Sequence, residues 1–453
     1  MGDRPWDVVI VGAGAAGLSA ARDLAQAGRS ALLLDARDRL GGRIWTRREV
    51  DTAVPIELGA EFIHGQSVPT LQLLQEAGHA AVELGGPHWT LLHGRLQQRT
   101  DDLFEQVQRA LQSADFGGRT PDLSFKDFLD HAGGEGLSPE ARALAVQFVQ
   151  GFDAADPARV SAQSIAEEWA SGGMLDAPQS RPVGGYSAVL TALAGALDRK
   201  IAHVQLQTVV KRVRWKRETV DLDGVFLDQP FSVSARRAIV TVPIGVLQLP
   251  RGAMGAIEFS PPLESKRKAL TGIISGPVLK VILRFRTAFW EELEGGRYRD
   301  ASFFYSLETP FPTFWTSAPV RSPVLNAWVG GPPAALLCAK SDAEIIHEAC
   351  SSLRRMFGPG LDARAAELEA AFVHNWERDP FACGAYSYVV VGHNDTARQD
   401  LAAPLEDTLF FAGEATDTEG EAATVTGALQ SGARAAREIN DSLAKAGIPP
   451  QRA

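Results

Sequence analysis

The 453 residues predict an α/β protein of two domains, a doubly wound βαβ unit and a second α+β unit, both discontinuous along the chain. Three observations carry this expectation. An apolar, β-branched run near the N-terminus passes through a glycine-rich turn into a small-residue helix and a second apolar run. A comparable strand, glycine turn and helix closes the sequence. The stretch between holds helical and strand-like segments that one core of ordinary size cannot accommodate.

Residues 7–11 form a continuous apolar run, the pattern of a strand buried on both faces. Gly12, Gly14 and Gly17 follow in G-x-G-x-x-G spacing, with Ala16 in the same turn. Gly12 permits the tight turn, Gly14 lets the backbone approach a pyrophosphate, and Gly17 lets the next helix lie close to the strand. That helix, expected at residues 18–26 and ended by Gly28, offers unpaired N–H groups and a positive dipole end to phosphates. A second strand at 31–34 ends at Asp35, 21 residues after Gly14, where a carboxylate accepts from ribose hydroxyls. The parts fall in register and point to a Rossmann-like dinucleotide site.

The run then continues as Ala36, Arg37, Asp38, Arg39, Leu40, Gly41, Gly42, Arg43. A second glycine pair and an arginine suit a longer cofactor than NAD. This run resembles the ARDRxGGR signature of the FAD-containing amine oxidase superfamily, which includes monoamine and polyamine oxidases, lysine-specific histone demethylases and L-amino-acid oxidases. The resemblance implies FAD as cofactor, with Ala36 and Arg37 near its adenosine part and Gly42 and Arg43 near its pyrophosphate.

The closing motif agrees. Residues 408–411 read as an apolar strand, followed by Gly413 and Glu414, and Thr424 and Val425 open a helix to about residue 443. This resembles the family's C-terminal flavin segment. There Glu414 would approach the ribityl chain, and the helix N-terminus would stabilise negative charge on the reduced flavin. A helix from Gly185 to residue 197 and strands at 204–213 and 238–242 return to the same domain, where backbone near Val209 would contact adenine.

The resemblance also singles out chemistry. Lys280 sits among Val278, Leu279, Val281 and Ile282, sharing a face with Val278 and Ile282 on an alternating strand. It matches a buried family lysine linked through water to the flavin and assisting its reaction with oxygen. Tyr386 matches one wall of an aromatic cage above the flavin, and Trp376 a tryptophan packed beside it; Tyr388 is expected to be plain core. Gly59, Ala60 and His64 lie in a segment similar to the GAxxxHG of polyamine and spermine oxidases, which would place His64 near the flavin entrance. A hydrogen-bonded structural role for His64 stays open, as does the choice for Glu61 between a supporting acid and a contact for a cationic substrate tail.

Two departures from monoamine oxidases matter. Their flavin-linking cysteine position is Ala385 here, with Cys383 displaced by roughly 6–7 Å on a strand, so non-covalent FAD is expected. Their second cage tyrosine position is Thr424, as in the demethylase branch, which implies a wider pocket.

Residues 1–85, 180–250 and 385–453 are assigned to the FAD-binding domain, and 86–179 and 251–384 to the substrate-binding domain. The latter is expected to carry helices at 101–112, 139–150, 162–170 and 342–357. The net charge of −10 argues against nucleic acid as a partner. No 18-residue apolar span or targeting signal is seen, so a cytoplasmic protein without membrane contact is expected. Cys338, Cys350 and Cys383 show no paired spacing and are expected to be buried small hydrophobes, and the histidines show no metal spacing. Monomer and homodimer both remain open.

The expected activity is oxidation of a primary or secondary amine, polyamines included, by hydride transfer to flavin N5. Water would hydrolyse the imine, and molecular oxygen would become hydrogen peroxide. The rivals are an L-amino-acid oxidase, which needs an arginine clamp for the substrate carboxylate, a carotenoid-type desaturase, which would not need Lys280, and a non-catalytic flavoprotein.

Overall fold

The computed structural model describes residues 5–450 except 66, 99–101, 115, 117–121, 132–133, 135, 171–178, 359–360, 362–366 and 394–395. The N-terminal strand Trp6–Val11 is apolar but for Asp7, which bonds Ser30, because both its faces are covered. Val8 and Ile10 pack against the helices Ala15–Gln26 and Val425–Lys445, whereas Val9 and Val11 pack with Val210, Val213, Val220 and Leu222.

This strand sits inside an eight-stranded sheet. It pairs in parallel with Ala31–Leu34 on one side and Gln229–Val240 on the other. The far end of Gln229–Val240 turns into an antiparallel meander with Thr219–Phe226 and Thr208–Lys216, and its near end receives Leu409–Phe411 in parallel. Strands from both ends of the sequence and from its middle thus build one sheet. Glu258–Ser260 joins it beyond residue 250.

A seven-stranded sheet lies elsewhere in the chain, with Val278–Phe285 between Val324–Gly330 and Leu368–Val373. Its alternation is clean. Leu279, Val281 and Leu283 enter a core shared with the helix Asp342–Phe357, while Val278 and Lys280 face a cavity. Helices Pro139–Gly151 and Ala162–Ala170 share a third core with the buried Tyr388.

The helix starts follow their capping chemistry. Ser138 accepts from Ala141 N with Pro139 in the first turn, and Ser341 and Glu344 form a reciprocal capping box. Several boundaries differ from the sequence expectation. The first helix begins at Ala15 rather than residue 18, because glycine and alanine in the turn already adopt helical geometry. The strand expected at 204–213 is two strands, Ala202–Gln205 and Thr208–Lys216, separated where Gln207 takes φ +52° without a glycine to announce it. The helix expected at 101–112 is Asp102–Ser113, residue 101 lying outside the described residues. Of the cysteines only Cys338 is buried; Cys350 and Cys383 are partly exposed, as they lie on a helix flank and in a turn.

Candidate functional site

The turn after the first strand is held open for a ligand. Gly12 adopts φ +111°, and a Cβ there would meet Thr241 Oγ1 at 2.4 Å. A Cβ on Gly17 would lie 1.9 Å from Gly12 O, so the helix rests directly on the turn. The helix has no side-chain N-cap, which leaves its first N–H groups for an anion. Asp35 is buried, and its two oxygens accept from Ala13 N at 2.8 Å and Arg37 N at 2.9 Å. Burial pushes its carboxyl upward against these hydrogen bonds.

The second glycine pair explains the rest of its motif. Arg39 donates to the carbonyls of Leu40, Gly42 and Ile44 and stacks over Trp45, so the guanidinium moulds the Gly41–Gly42 loop from within. Arg37 pairs with Asp379 at 2.7 Å. Arg43 bonds Ala385 O at 2.6 Å and Glu414 at 2.9 Å. The other oxygen of Glu414 accepts from Ser387 Oγ at 2.6 Å. Burial raises the Glu414 carboxyl, but the Arg43 charge and the Ser387 bond outweigh it, and the group stays below its ordinary value.

One cavity of about 630 Å³ joins these parts to the substrate side. Gly12, Gly14, Ala16, Asp35, Ala36 and Arg37 line it. So do Gly42, Arg43, Gly59, Ala60 and Val209. Gly413, Glu414, Thr424 and Val425 lie on the same wall. Gly17 does not, being spent on packing. The residues fit a dinucleotide-length cofactor: a glycine cradle, a bare helix N-terminus and a fixed carboxylate line one continuous cavity.

Lys280, Tyr386, Trp376 and His64 line the same space. Tyr386 opens the strand Tyr386–Val389 and donates to Phe152 O at 2.7 Å, which fixes its ring. Trp376 is buried and donates to Leu58 O at 2.9 Å. His64 sits edge-on to Phe152 at 5.4 Å between ring centroids, and its Nδ1 has no hydrogen-bond partner. Burial lowers its pKa to about 4, so the ring is neutral at neutral pH.

Three further residues are placed as follows. Thr424 opens the C-terminal helix as expected: as its N-cap, its hydroxyl accepts from Gly427 N and donates to Glu421 O at 2.6 Å, and the residue lines the cavity. Cys383 lies in a turn at φ +51°, not on a strand, with Sγ against Asp379 O and Pro380 O. Glu61, left open between two roles, is an ion-pair partner of Lys280 at 2.5 Å.

Sequence patterns gave no hint of Asp153 and Glu168, which also line the cavity. Asp153 Oδ2 has no hydrogen-bond partner, and burial with the nearby Glu168 charge pushes its carboxyl well above the usual range. Phe62, Phe303, Tyr305, Trp315 and Trp328 supply an aromatic wall.

The model of one protein family, flavin containing amine oxidoreductase, matches residues 15–440. The chain is 28% identical to human lysine-specific histone demethylase 2 over 95% of its own length, but spans only 53% of that protein. It is 27% identical to polyamine oxidase 2 of Arabidopsis thaliana, covering 97% of this chain and 89% of the relative. Among solved structures, putrescine oxidase bound to putrescine superposes with a TM-score of 0.80 at 24% identity, over 97% of this chain and 99% of that one. Cyclohexylamine oxidase from Brevibacterium oxydans IH-35A gives 0.79 at 22% identity, over 97% and 100%.

Proposed function

Because the chain belongs to the flavin containing amine oxidoreductase family, we propose that it is an amine oxidase that holds FAD non-covalently and oxidises primary or secondary amines, di- and polyamines included. The observation that carries this reading is the single cavity whose wall runs from the Gly12–Gly14 cradle to Lys280, Tyr386 and Trp376. Bound FAD supplies the hydride acceptor, so that an amine leaves as an imine for hydrolysis and molecular oxygen is reduced to hydrogen peroxide.

The chain's own residues hold and shape. The bare helix N-terminus after Gly14, with Asp35, receives the nucleotide half. The N-terminus of Val425–Lys445 directs its positive dipole end into the cavity, where negative charge develops. Ala385 in place of a cysteine, and Cys383 turned toward backbone carbonyls, support non-covalent attachment. Tyr386 and Trp376 position the amine and exclude water. Neutral His64 adds no repulsion toward an amine. Lys280 orders water for the reaction with oxygen. Asp153 and Glu168 place carboxyl oxygens on the wall, which can accept from a second amine nitrogen.

We assign 1–85, 180–250 and 385–453 to the flavin-binding domain and 86–179 and 251–384 to the substrate-binding domain. The provenance of the two large sheets supports this, with Glu258–Ser260 extending the first beyond residue 250. The test is direct. Purified protein should be yellow and should release hydrogen peroxide with some member of a panel of mono-, di- and polyamines. Colourless protein that takes up no FAD, or activity confined to α-amino acids, would overturn the reading.

A further inference from the structure

We infer that Glu61 is a positioning residue for Lys280, holding its ammonium at the cavity wall through a buried Arg181–Glu61–Lys280 chain that Trp315 locks in place. This rests on the amine-oxidase reading above.

The Lys280 side chain is 3% exposed and lies mid-strand, where an ammonium without a partner is costly. Its partners are Glu61 Oε2 at 2.5 Å and Gly59 O at 3.4 Å. Glu61 is itself fixed through its other oxygen. Trp315 Nε1 donates to Oε1 at 3.0 Å, and Arg181 Nε lies 2.9 Å from the same atom. Arg181 is pinned in turn, donating to Thr316 O at 2.9 Å and Ala318 O at 2.8 Å. Two donors, Lys280 and Trp315, and the charge of Arg181, on three separate strands, therefore converge on one carboxylate.

Local backbone sets the distance. A Cβ on Gly59 would lie 1.8 Å from Arg43 O, so the segment carrying Glu61 is pressed against the loop that faces the cofactor end of the cavity. Burial pushes the Glu61 carboxyl up, yet the charges of Lys280 and Arg181 more than reverse this and keep it ionised. A solvated loop acid would show none of these contacts. The indole that holds Glu61 also lies 5.4 Å from the Lys280 nitrogen, closing the chain into a ring of contacts.

The test is a double-mutant cycle with Glu61→Gln and Lys280→Met, read in the FAD-free and FAD-bound protein. In FAD-free protein, Glu61→Gln should lower the melting temperature by several degrees, and adding Lys280→Met should recover part of the loss, because the stranded ammonium is gone. In FAD-bound protein, anaerobic reduction by amine should keep its KM, while reoxidation by oxygen slows about tenfold. Glu61→Asp should restore part of that rate. In the Lys280→Met background Glu61→Gln should add nothing to the slowing. Additive effects on reoxidation, or a wild-type rate in Glu61→Gln, would overturn the positioning role and leave the amine-oxidase reading intact. Failure of the wild type to take up FAD would sink that reading instead.

Discussion

Lys280 and Glu57 illustrate how single ionisable groups divide between chemistry and stability. Lys280→Met removes the ammonium without emptying the strand, so FAD should stay bound while flavin reoxidation falls by roughly a hundredfold; stopped-flow spectra separate the two. Glu57 accepts from Tyr186 N and Thr46 Oγ1, and burial raises its pKa from 4.5 to about 7, against the Tyr186 bond and the Lys280 charge. A carboxyl raised in the folded state binds its proton there more tightly than in the unfolded chain. Its contribution therefore worsens as pH climbs from 4.5 through about 7. Glu57→Gln keeps the acceptor oxygen. It should raise the melting temperature at pH 8, by up to about 3 kcal/mol in stability, and by little at pH 5. Neither this role nor the cavity position of Asp153 could be read from sequence. Both depend on which distant elements cover the residue, and an isolated acid in a loop or a two-residue strand carries no periodic trace.

Elements were more legible than residues, for a physical reason. The strand Val278–Phe285 and the helix Asp342–Phe357 carry their side-chain period and caps in the local sequence. Gly17, too, is explained by local geometry. Gly17→Ala would drive a methyl into Gly12 O and lift the helix off the turn. The variant should fold with a lowered melting temperature and lose FAD uptake, measured by absorbance after reconstitution. Thr424→Ala should cost about 1 kcal/mol through loss of the N-cap. What eluded the sequence were breaks without glycine, such as Gln207 at φ +52° and Cys383 at φ +51°, where tertiary contacts impose a conformation the residue does not advertise.

At the scale of the molecule, the two glycine motifs revealed the discontinuous plan because they lie at opposite ends of the sequence and must meet around one ligand. The ligand should therefore hold distant parts of the chain together. Saturating FAD should raise the melting temperature, by about 2.7 kcal/mol in stability at a hundred times Kd. Acid precipitation should leave the yellow colour in the supernatant; colour retained in the pellet would count against non-covalent binding.

The first helix and Val425–Lys445 touch so closely that a Cβ on Gly432 would stand 2.2 Å from Ala16 O, and Ser19 Oγ donates to Leu429 O. The phosphate-facing turn thus emerges from the ribosome some four hundred residues ahead of the helix that completes its surroundings. Until residues 425–445 have been made, this half-built crevice lacks the helix that packs on it, and prosthetic-group capture should follow their synthesis.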